Sequence, residues 1–459
     1  MKIAIAGAGI SGLATAHAIL ERDPLADVTV FESASRAGGK VLTEKTADGY
    51  LCEWGVNAFL DKVPRTLELS RALGLEPTPA DVSAKKRFVF SEGALHKLPE
   101  KPPEFFTSKL LSVPGRLRVI GEILSRRSNK PDESLEEFGT RHLGREAFEK
   151  LIDPMASGVF AGDARTMSVA SCFPRIREVE DEYGSLIRGL IKLQKAARKA
   201  GKKDTPGPGP GGILTSFANG MSEMTDALAA QLGDRVRYDA AVRNIEFTGD
   251  AYLVQTDDGG EEPCQLLVLA SPAYAQAKML RSAAPEISSL LDGIEYPPLA
   301  VVCLGFDRAD VGTEMDGFGF LVPSREQRRI LGTVADSFVF PNRAPQGRAL
   351  LRTMVGGARN PQPALLPDGQ LLDTVQSNLR DIMGITAEPE FASIYRHERA
   401  IPQYPVGHGD RLQAIEREQA RFPGLFLTGN AYRGVSLNDC VVNADRTADA
   451  VVARYRRRR

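Results

Sequence analysis

Cysteine is scarce and unpaired. Five residues, Cys52, Cys172, Cys264, Cys303 and Cys440, are spread over 459 positions, an odd number with no C-x-x-C. That excludes a disulfide framework and a zinc ribbon and fits a reducing compartment, so a cytoplasmic protein is expected. The five histidines (17, 96, 142, 397 and 408) form no cluster, and no metal site is expected. Charge of either sign is not in excess: the net charge is −1, so nothing global draws nucleic acid to the chain. Long apolar runs are missing as well, and none is long enough to span a bilayer. What remains is ordinary for a soluble globular chain, 42% hydrophobic and 25% charged, with length for two or three domains.

The first forty residues organise the rest. KIAIAGA, residues 2–8, reads as a buried strand, and Gly7, Gly9 and Gly12 follow in G-x-G-x-x-G spacing. An Ala-rich helix comes next, then a second β-run over 27–31 that ends at Glu32. This is a βαβ dinucleotide-binding unit. Gly7 allows the tight turn, Gly9 lets backbone approach a pyrophosphate, and Gly12 lets the helix pack on the strand. The helix N-terminus offers free N–H groups and partial positive charge. Glu32 is placed to accept from a ribose diol. The same run has the look of a signal peptide, but three glycines interrupt it and cleavage would destroy the unit. Spacing alone leaves NAD and FAD open. Arg36, Gly38, Gly39 and Lys40 favour FAD, because they resemble the R-x-G-G segment of amine-oxidase-like flavoproteins, where it lines the diphosphate side.

Further along, residues 50–60 (YLCEWGVNAFL) read as a strand and a turn, and 85–99 as a hairpin about Ser91-Glu92-Gly93. In that hairpin Arg87 and Val89 face one way, Phe88 and Phe90 the other. From about residue 102 to 203 the chain reads as helical. One segment carries Leu110, Leu111, Val113, Leu117, Val119, Ile120, Ile123 and Leu124 with interleaved Arg, and a second basic helix covers 185–203. Such faces suit either a solvated surface or an anionic membrane. A Pro/Gly stretch at 204–212 ends this lobe. A loop and helix over 217–232 and strands at 236–240, 242–248, 251–256 and 265–269 return to the nucleotide fold. Strand-like runs at 300–306, 317–322, 330–335 and 349–355 predict a separate mixed sheet roofing the cofactor, and 370–383 predicts a helix. A strand at 425–428, the turn Gly429-Asn430-Ala431-Tyr432-Arg433-Gly434-Val435 and a helix from Asn438 close the chain. The N-terminus of that helix would favour negative charge on a reduced flavin. No Cys precedes Asn438 in the turn, so non-covalent FAD is expected.

From Met1 to about Val452 the chain resembles the oxygen-dependent protoporphyrinogen oxidases. The resemblance rests on Arg87-Phe88-Val89-Phe90 with Gly93-Ala94-Leu95, on GVFAGD at 158–163, on Ser171-Cys172-Phe173-Pro174, on GFGFLVP at 317–323, on Val355-Gly356-Gly357 and on YRGVSLNDC at 432–440. It implies a three-part α/β fold: an FAD domain of p-hydroxybenzoate-hydroxylase type (1–84, 213–274 and 412–459), a mixed-sheet substrate domain (85–100 and 275–411), and a helical, membrane-associating lobe (101–212). The cofactor set it implies is Gly7, Gly9, Ile10, Ser11, Gly12, Glu32, Ser33, Arg36, Gly38, Gly39, Lys40, Trp54, Gly55, Asn57, Val242, Gly429, Asn430, Val435, Ser436 and Asn438. Trp54, Gly55 and Asn57 would pass over the flavin ring, and Val242 would meet the adenine through its backbone. For substrate, Arg87 matches an Arg that faces a propionate. Phe318 and Leu321 match residues that sandwich a tetrapyrrole, Met354 a wall position, and Gly158 a glycine that leaves room for the macrocycle.

The implied reaction is six-electron oxidation of protoporphyrinogen IX to protoporphyrin IX, in three two-electron rounds. Oxygen is the final acceptor and three hydrogen peroxide are released. No side-chain base presents itself, so catalysis rests on placing the macrocycle at the flavin in a water-poor pocket. The rivals are coproporphyrinogen III oxidase of the same flavoprotein family and, more distantly, a flavin amine oxidase or a non-catalytic FAD-binding protein. A peripheral place on the cytoplasmic face of a membrane and a homodimer stay open.

Overall fold

The computed structural model describes residues 1–99, 102–199, 211–312 and 316–457. The expected Pro/Gly stretch falls almost wholly outside these residues, as do 200–203 of the second basic helix and the last two arginines. Two sheets carry the fold. The first is parallel, with spatial order 236–237, 27–31, 2–6, 266–269, 425–427. Its central strand Lys2–Ala6 is buried on both faces, with Ile3 and Ile5 in one core and Ala4 and Ala6 in the other. That is why it reads as a continuous apolar run. Each fully buried Ile or Leu there contributes about 1.5–3 kcal/mol. Helices Ile10–Arg22, Ser222–Leu232 and Leu437–Arg457 pack on the first face. The chain leaves the central strand towards 27–31 on one side and has 266–269 on the other. The switch point, with its crevice at the strands' carboxyl ends, therefore lies beside Gly7.

The second sheet is mixed and has seven strands: Phe391–His397, Leu299–Asp307, Arg348–Gly356, Ile330–Val334, Gly319–Leu321, Arg87–Ser91 and Ala94–Lys97 in spatial order. Its outer face packs Val302, Leu304, Phe320 and Leu351 against helix Asp368–Met383 through Leu371, Val375 and Leu379. Its inner face turns to the nucleotide-binding half, where Val301, Cys303 and Leu350 meet Tyr50, Cys52 and Trp54. The hairpin faces as expected: Phe90 joins the outer core, while Val89 shares the register of Leu321. Glu92 and Gly93 hold positive φ (54° and 79°), the two-residue turn that right-twisted strands prefer.

Three differences from the sequence reading have physical causes. Strand Phe391–His397 goes unrecognised in the sequence because, as a half-exposed edge, it lacks a clean apolar signal. Helices Ala273–Leu280 and Pro285–Asp292 share one core with Ala4, Ala6, Leu267 and Leu269. We therefore propose that the boundary expected at 274/275 lies near residue 297. The first basic segment of the lobe is not one helix. Ser112 caps Gly115 N at 3.1 Å, an α-helix runs Val113–Ile120, and a 3-10 turn covers Gly121–Leu124. Among the described residues no helix is long and apolar enough to cross a membrane.

Candidate functional site

The nucleotide crevice is built by glycines doing separable work. Gly12 must be glycine, since a Cβ there would stand 1.9 Å from the Gly7 carbonyl oxygen. At Gly9 a Cβ would meet only the Gly38 oxygen, at 3.9 Å, so this face of the backbone is open. The turn Gly38-Gly39 lies over it: Gly38 N donates to Ala8 O at 2.8 Å, and a Cβ on Gly39 would come within 3.3 Å of Gly9 Cα. Helix Ile10–Arg22 begins at Gly9 with no side-chain cap and no acid in its first turn, so its N-terminal charge is left for a ligand. Ser11 is buried beside Cys440 of the closing helix. Glu32 stands at the end of the second strand, where Ala8 N donates to Oε2 at 2.8 Å and Ala34 N and Ser33 Oγ donate to Oε1 at 3.0 and 3.1 Å. The acid is thereby fixed beside the glycine turn. Ala240 N donates to Glu32 O at 2.8 Å, which brings the backbone leading into Val242 next to it. Arg36 folds back on its own turn, donating to Ala37 O and Gly39 O at 2.9 Å each.

Lys40 behaves differently from its neighbours. Its carbonyl packs so closely on Gly55 that a Cβ there would sit 1.9 Å away. Its ammonium, pushed down to about 8 by burial, donates to Arg399 O at 2.7 Å and to Ala400 O, and lies 5.0 Å from the Tyr296 ring centroid. Trp54 also departs from the expected role as a residue laid over a flavin ring. Its indole is buried, donates to Glu44 Oε2 at 2.8 Å and stacks on Tyr395, so only its backbone is left to line the crevice.

Several buried polar atoms along the crevice have no protein partner: both amide atoms of Asn57, Asn438 Oδ1, Ser271 Oγ and Thr428 Oγ1. Buried polar groups are rarely left so. Ser271 and Thr428 are the second and first residues past the carboxyl ends of strands 266–269 and 425–427, the position where ligands of such sheets bind. Sequence reading missed both, and their place just past a parallel strand is the one signal that marks them. Gln276, fully buried, ties these ends together: its amide donates to Ser271 O and Thr428 O, and it accepts from Tyr432 OH. In the closing turn Asn430 O accepts from Tyr404 OH, Val435 packs on the lobe, and Ser436 and Asp439 cap the last helix reciprocally. Asn438 donates to Leu60 O at 2.8 Å and keeps its oxygen unused. The open cradle at Gly9, the fixed acid and the row of unsatisfied donors and acceptors fit a dinucleotide that continues into a polar-edged ring.

Beside the crevice, on the inner face of the second sheet, Val89, Leu321, Gly332, Met354 and Val301 lie opposite one another across five strands. Gly332, in the middle of this row, has no side chain of its own, and a Leu321 methyl lies 3.1 Å from where its Cβ would be. Phe318, Met354 and Ala58, the last one residue past Asn57, pack on one buried cluster of Ala84, Val334, Val339 and Phe340, which brings the apolar row towards the crevice. Gly158 touches it too, but a Leu321 methyl already fills the space over Gly158, 2.7 Å from where a Cβ would be. Arg87, two residues from Val89 on the same face, holds its guanidinium 5.5 Å from the Phe318 centroid. Lys86 points the other way and pairs with Asp316 at 2.7 Å. Among the described residues no group of His, Cys, Asp and Glu could hold a metal.

The profile of the family described as flavin containing amine oxidoreductase matches residues 10–452. The chain is 34% identical to the chloroplastic protoporphyrinogen oxidase of Oryza sativa subsp. japonica, over 97% of this chain and 87% of that one. It is 31% identical to the coproporphyrinogen III oxidase of Bacillus subtilis, over 96% and 95%. A crystal structure from Exiguobacterium sp. 255-15, 28% identical, superposes with a TM-score of 0.82 over 98% of both chains. FAD is the cofactor that the crevice accepts, and the chain belongs to the flavin-containing amine oxidoreductases, with the protoporphyrinogen and coproporphyrinogen oxidases among its relatives.

Proposed function

We propose that this enzyme oxidises protoporphyrinogen IX to protoporphyrin IX, passing six electrons in three two-electron rounds to molecular oxygen and releasing three hydrogen peroxide. The observation that carries the reading is the apolar row Leu321–Gly332–Met354 beside a dinucleotide crevice, in a chain alike end to end to protoporphyrinogen oxidases. FAD supplies the two-electron acceptor of each round. The chain's part is to exclude water and place the macrocycle: Phe318, Leu321 and Met354 offer apolar surface, and Arg87 at the edge of the row offers a fork for one propionate. No titratable side chain stands in the row itself, so positioning and desolvation carry the catalysis.

A second reading, coproporphyrinogen III oxidation, is favoured by one observation, the 31% identity to the B. subtilis enzyme. Against it, four propionates call for more cations than two, and Lys86 is committed to Asp316. Turnover of the two porphyrinogens by the same preparation, followed by porphyrin fluorescence and oxygen uptake, decides. Higher kcat/KM for coproporphyrinogen selects the second reading, and no turnover of either removes both.

We also propose that the lobe rests on an anionic membrane. Val113, Leu117 and Ile120 recur on one side of a helix that buries no residue, and Phe106 and Leu124 extend the patch. Its arginines are partly engaged, Arg118 inward with His142 O and Arg141 O, and Arg127 at the surface with Asp181. Apolar contact is therefore the larger part of the attachment.

A further inference from the structure

Lys40 sits on the turn that covers the nucleotide cradle, and its side chain reaches to the junction with the second sheet's half, past Tyr296 to Arg399 O and Ala400 O. An ammonium has three donors. Here they meet two main-chain carbonyls, Arg399 O and Ala400 O, and the face of Tyr296. The acceptors lie just past edge strand Phe391–His397 of the second sheet. Ala400 is buried in one cluster with Ala161, Leu299 and Leu331, against which Met354 of the apolar row packs. The turn itself is set from the other side, with Gly38 bonded to Ala8 and Gly39 resting on Gly9, where a pyrophosphate would lie. One residue thus joins the part of the chain that a dinucleotide orders to the part that a substrate touches.

We propose that Lys40 is a positioning residue, a latch through which an occupied nucleotide cradle sets the pocket wall at Ala400 and Met354. The proposal rests on the tetrapyrrole reading of that pocket. When the cradle is filled, the turn is fixed, the ammonium is held at its carbonyls and the wall is formed. When it is empty, the turn is free to shift and the wall loses its tie. Coupling between two sites is reciprocal, so a pocket ligand must tighten FAD by the same factor as FAD tightens the ligand.

The test is equilibrium dialysis of FAD against the full chain, with and without saturating protoporphyrin IX. In the wild type the porphyrin should tighten FAD by about 5- to 150-fold, the usual range of such couplings. Lys40→Met, which keeps the stem and loses the donors, should bring the factor close to one, while Lys40→Arg should restore much of it. Loss of packing alone would weaken FAD in the variant equally with and without porphyrin. Should Lys40→Met not fold, Lys40→Gln keeps two neutral donors and should give an intermediate factor. A wild-type factor in Lys40→Met or Lys40→Gln, with porphyrin still bound, overturns the latch: flavin and porphyrin would then couple by direct contact. Failure of porphyrin to bind the wild-type holoenzyme overturns the substrate reading instead, and with it the basis of the latch.

Discussion

Glu122 and Glu180 lie inside the helical lobe with no exposure, and Glu53, equally unexposed, lies deeper still, between the two sheets. Burial pushes all three carboxyls up. In the lobe the partners outweigh it. Glu122 takes His142 Nδ1 at 2.7 Å, Ser185 Oγ at 2.8 Å, and Leu186 N and Ile187 N at 2.7 and 2.9 Å. The last two are free N–H groups at the start of helix Leu186–Lys199, where the helix charge is positive. Glu180 is held by Arg177 at 2.8 Å, Arg141 at 2.8 Å, Ser128 N at 3.0 Å and His142 Nε2 at 3.2 Å. Both therefore stay below the usual 4.5. Glu53 has one main-chain donor, Met221 N at 2.8 Å, with Thr43 Oγ1 at 2.7 Å and Arg343 at 3.2 Å, and burial wins, to about 7. Greater depth and fewer main-chain donors thus act together to raise Glu53, while the donors around the lobe pair keep those carboxyls low.

The largest expected effect breaks the junction pair. Arg343, fully buried, holds Glu53, Ser216 Oγ and Phe217 O across the domains. Arg343→Met leaves Glu53 without its cation and should destabilise the holoenzyme by about 3–5 kcal/mol. Because Glu53 escapes by taking up a proton, the loss should be smaller near pH 6 than near pH 8, as read by urea unfolding at both. Equal losses would mean that the carboxyl does not change its charge between the two pH values.

Acid should open the contrast next. Glu122 and Glu180 have folded values below their unfolded ones, so their stabilisation is present above about 4.5 and is lost as pH falls through the folded values. Glu53 has the reverse shift, and its contribution falls as pH rises from about 4.5 to about 7. Acidification below about 4.5 should therefore raise hydrogen exchange in 135–143 and 174–187 before the strands 2–6 and 266–269. Each charge-assisted bond lost is worth about 1.5–3 kcal/mol. Simultaneous exchange of both regions would contradict the difference in charge state.

Arg87 examines the same physics at the pocket, where a cation lies by an aromatic ring on an apolar face. Arg87→Ala should cost about 1.5–3 kcal/mol of propionate binding. That raises KM for protoporphyrinogen by roughly 10- to 150-fold and leaves FAD content unchanged. Arg87→Lys should recover part of it, keeping charge without the fork. An unchanged KM would make Arg87 a rim charge only.

What the sequence made legible was local. Gly7, Gly9, Gly12 and Glu32 declare themselves by spacing because one strand, one turn and one helix use them together. The hairpin's faces follow from alternation alone. The buried ion cluster was illegible because His142 meets carboxylates 20 and 38 residues away. Ser271 and Thr428 were illegible because a lone hydroxyl has no pattern. The ring of Trp54 turns into the core, a place that its short strand and turn leave undecided in sequence.

The smallest expected effect concerns the outside of the lobe, where apolar side chains stand exposed while the buried interior holds an ion cluster beside its own apolar core. Leu117 is 63% exposed and Leu124 82%. Replacing both by serine removes little buried surface, so stability should move by no more than about 0.5 kcal/mol, and FAD content and turnover in detergent should not change. On a membrane the same leucines would be covered, each worth up to about 1.5–3 kcal/mol. Flotation with anionic liposomes should then fall steeply in the double variant, and more than in Arg127→Gln, because Arg127 is already paired with Asp181. High salt should weaken wild-type flotation only in part, since salt screens charges and leaves apolar burial intact. Flotation that vanishes with salt and ignores the serines would assign the attachment to the arginines. No flotation at any salt would leave the patch facing water.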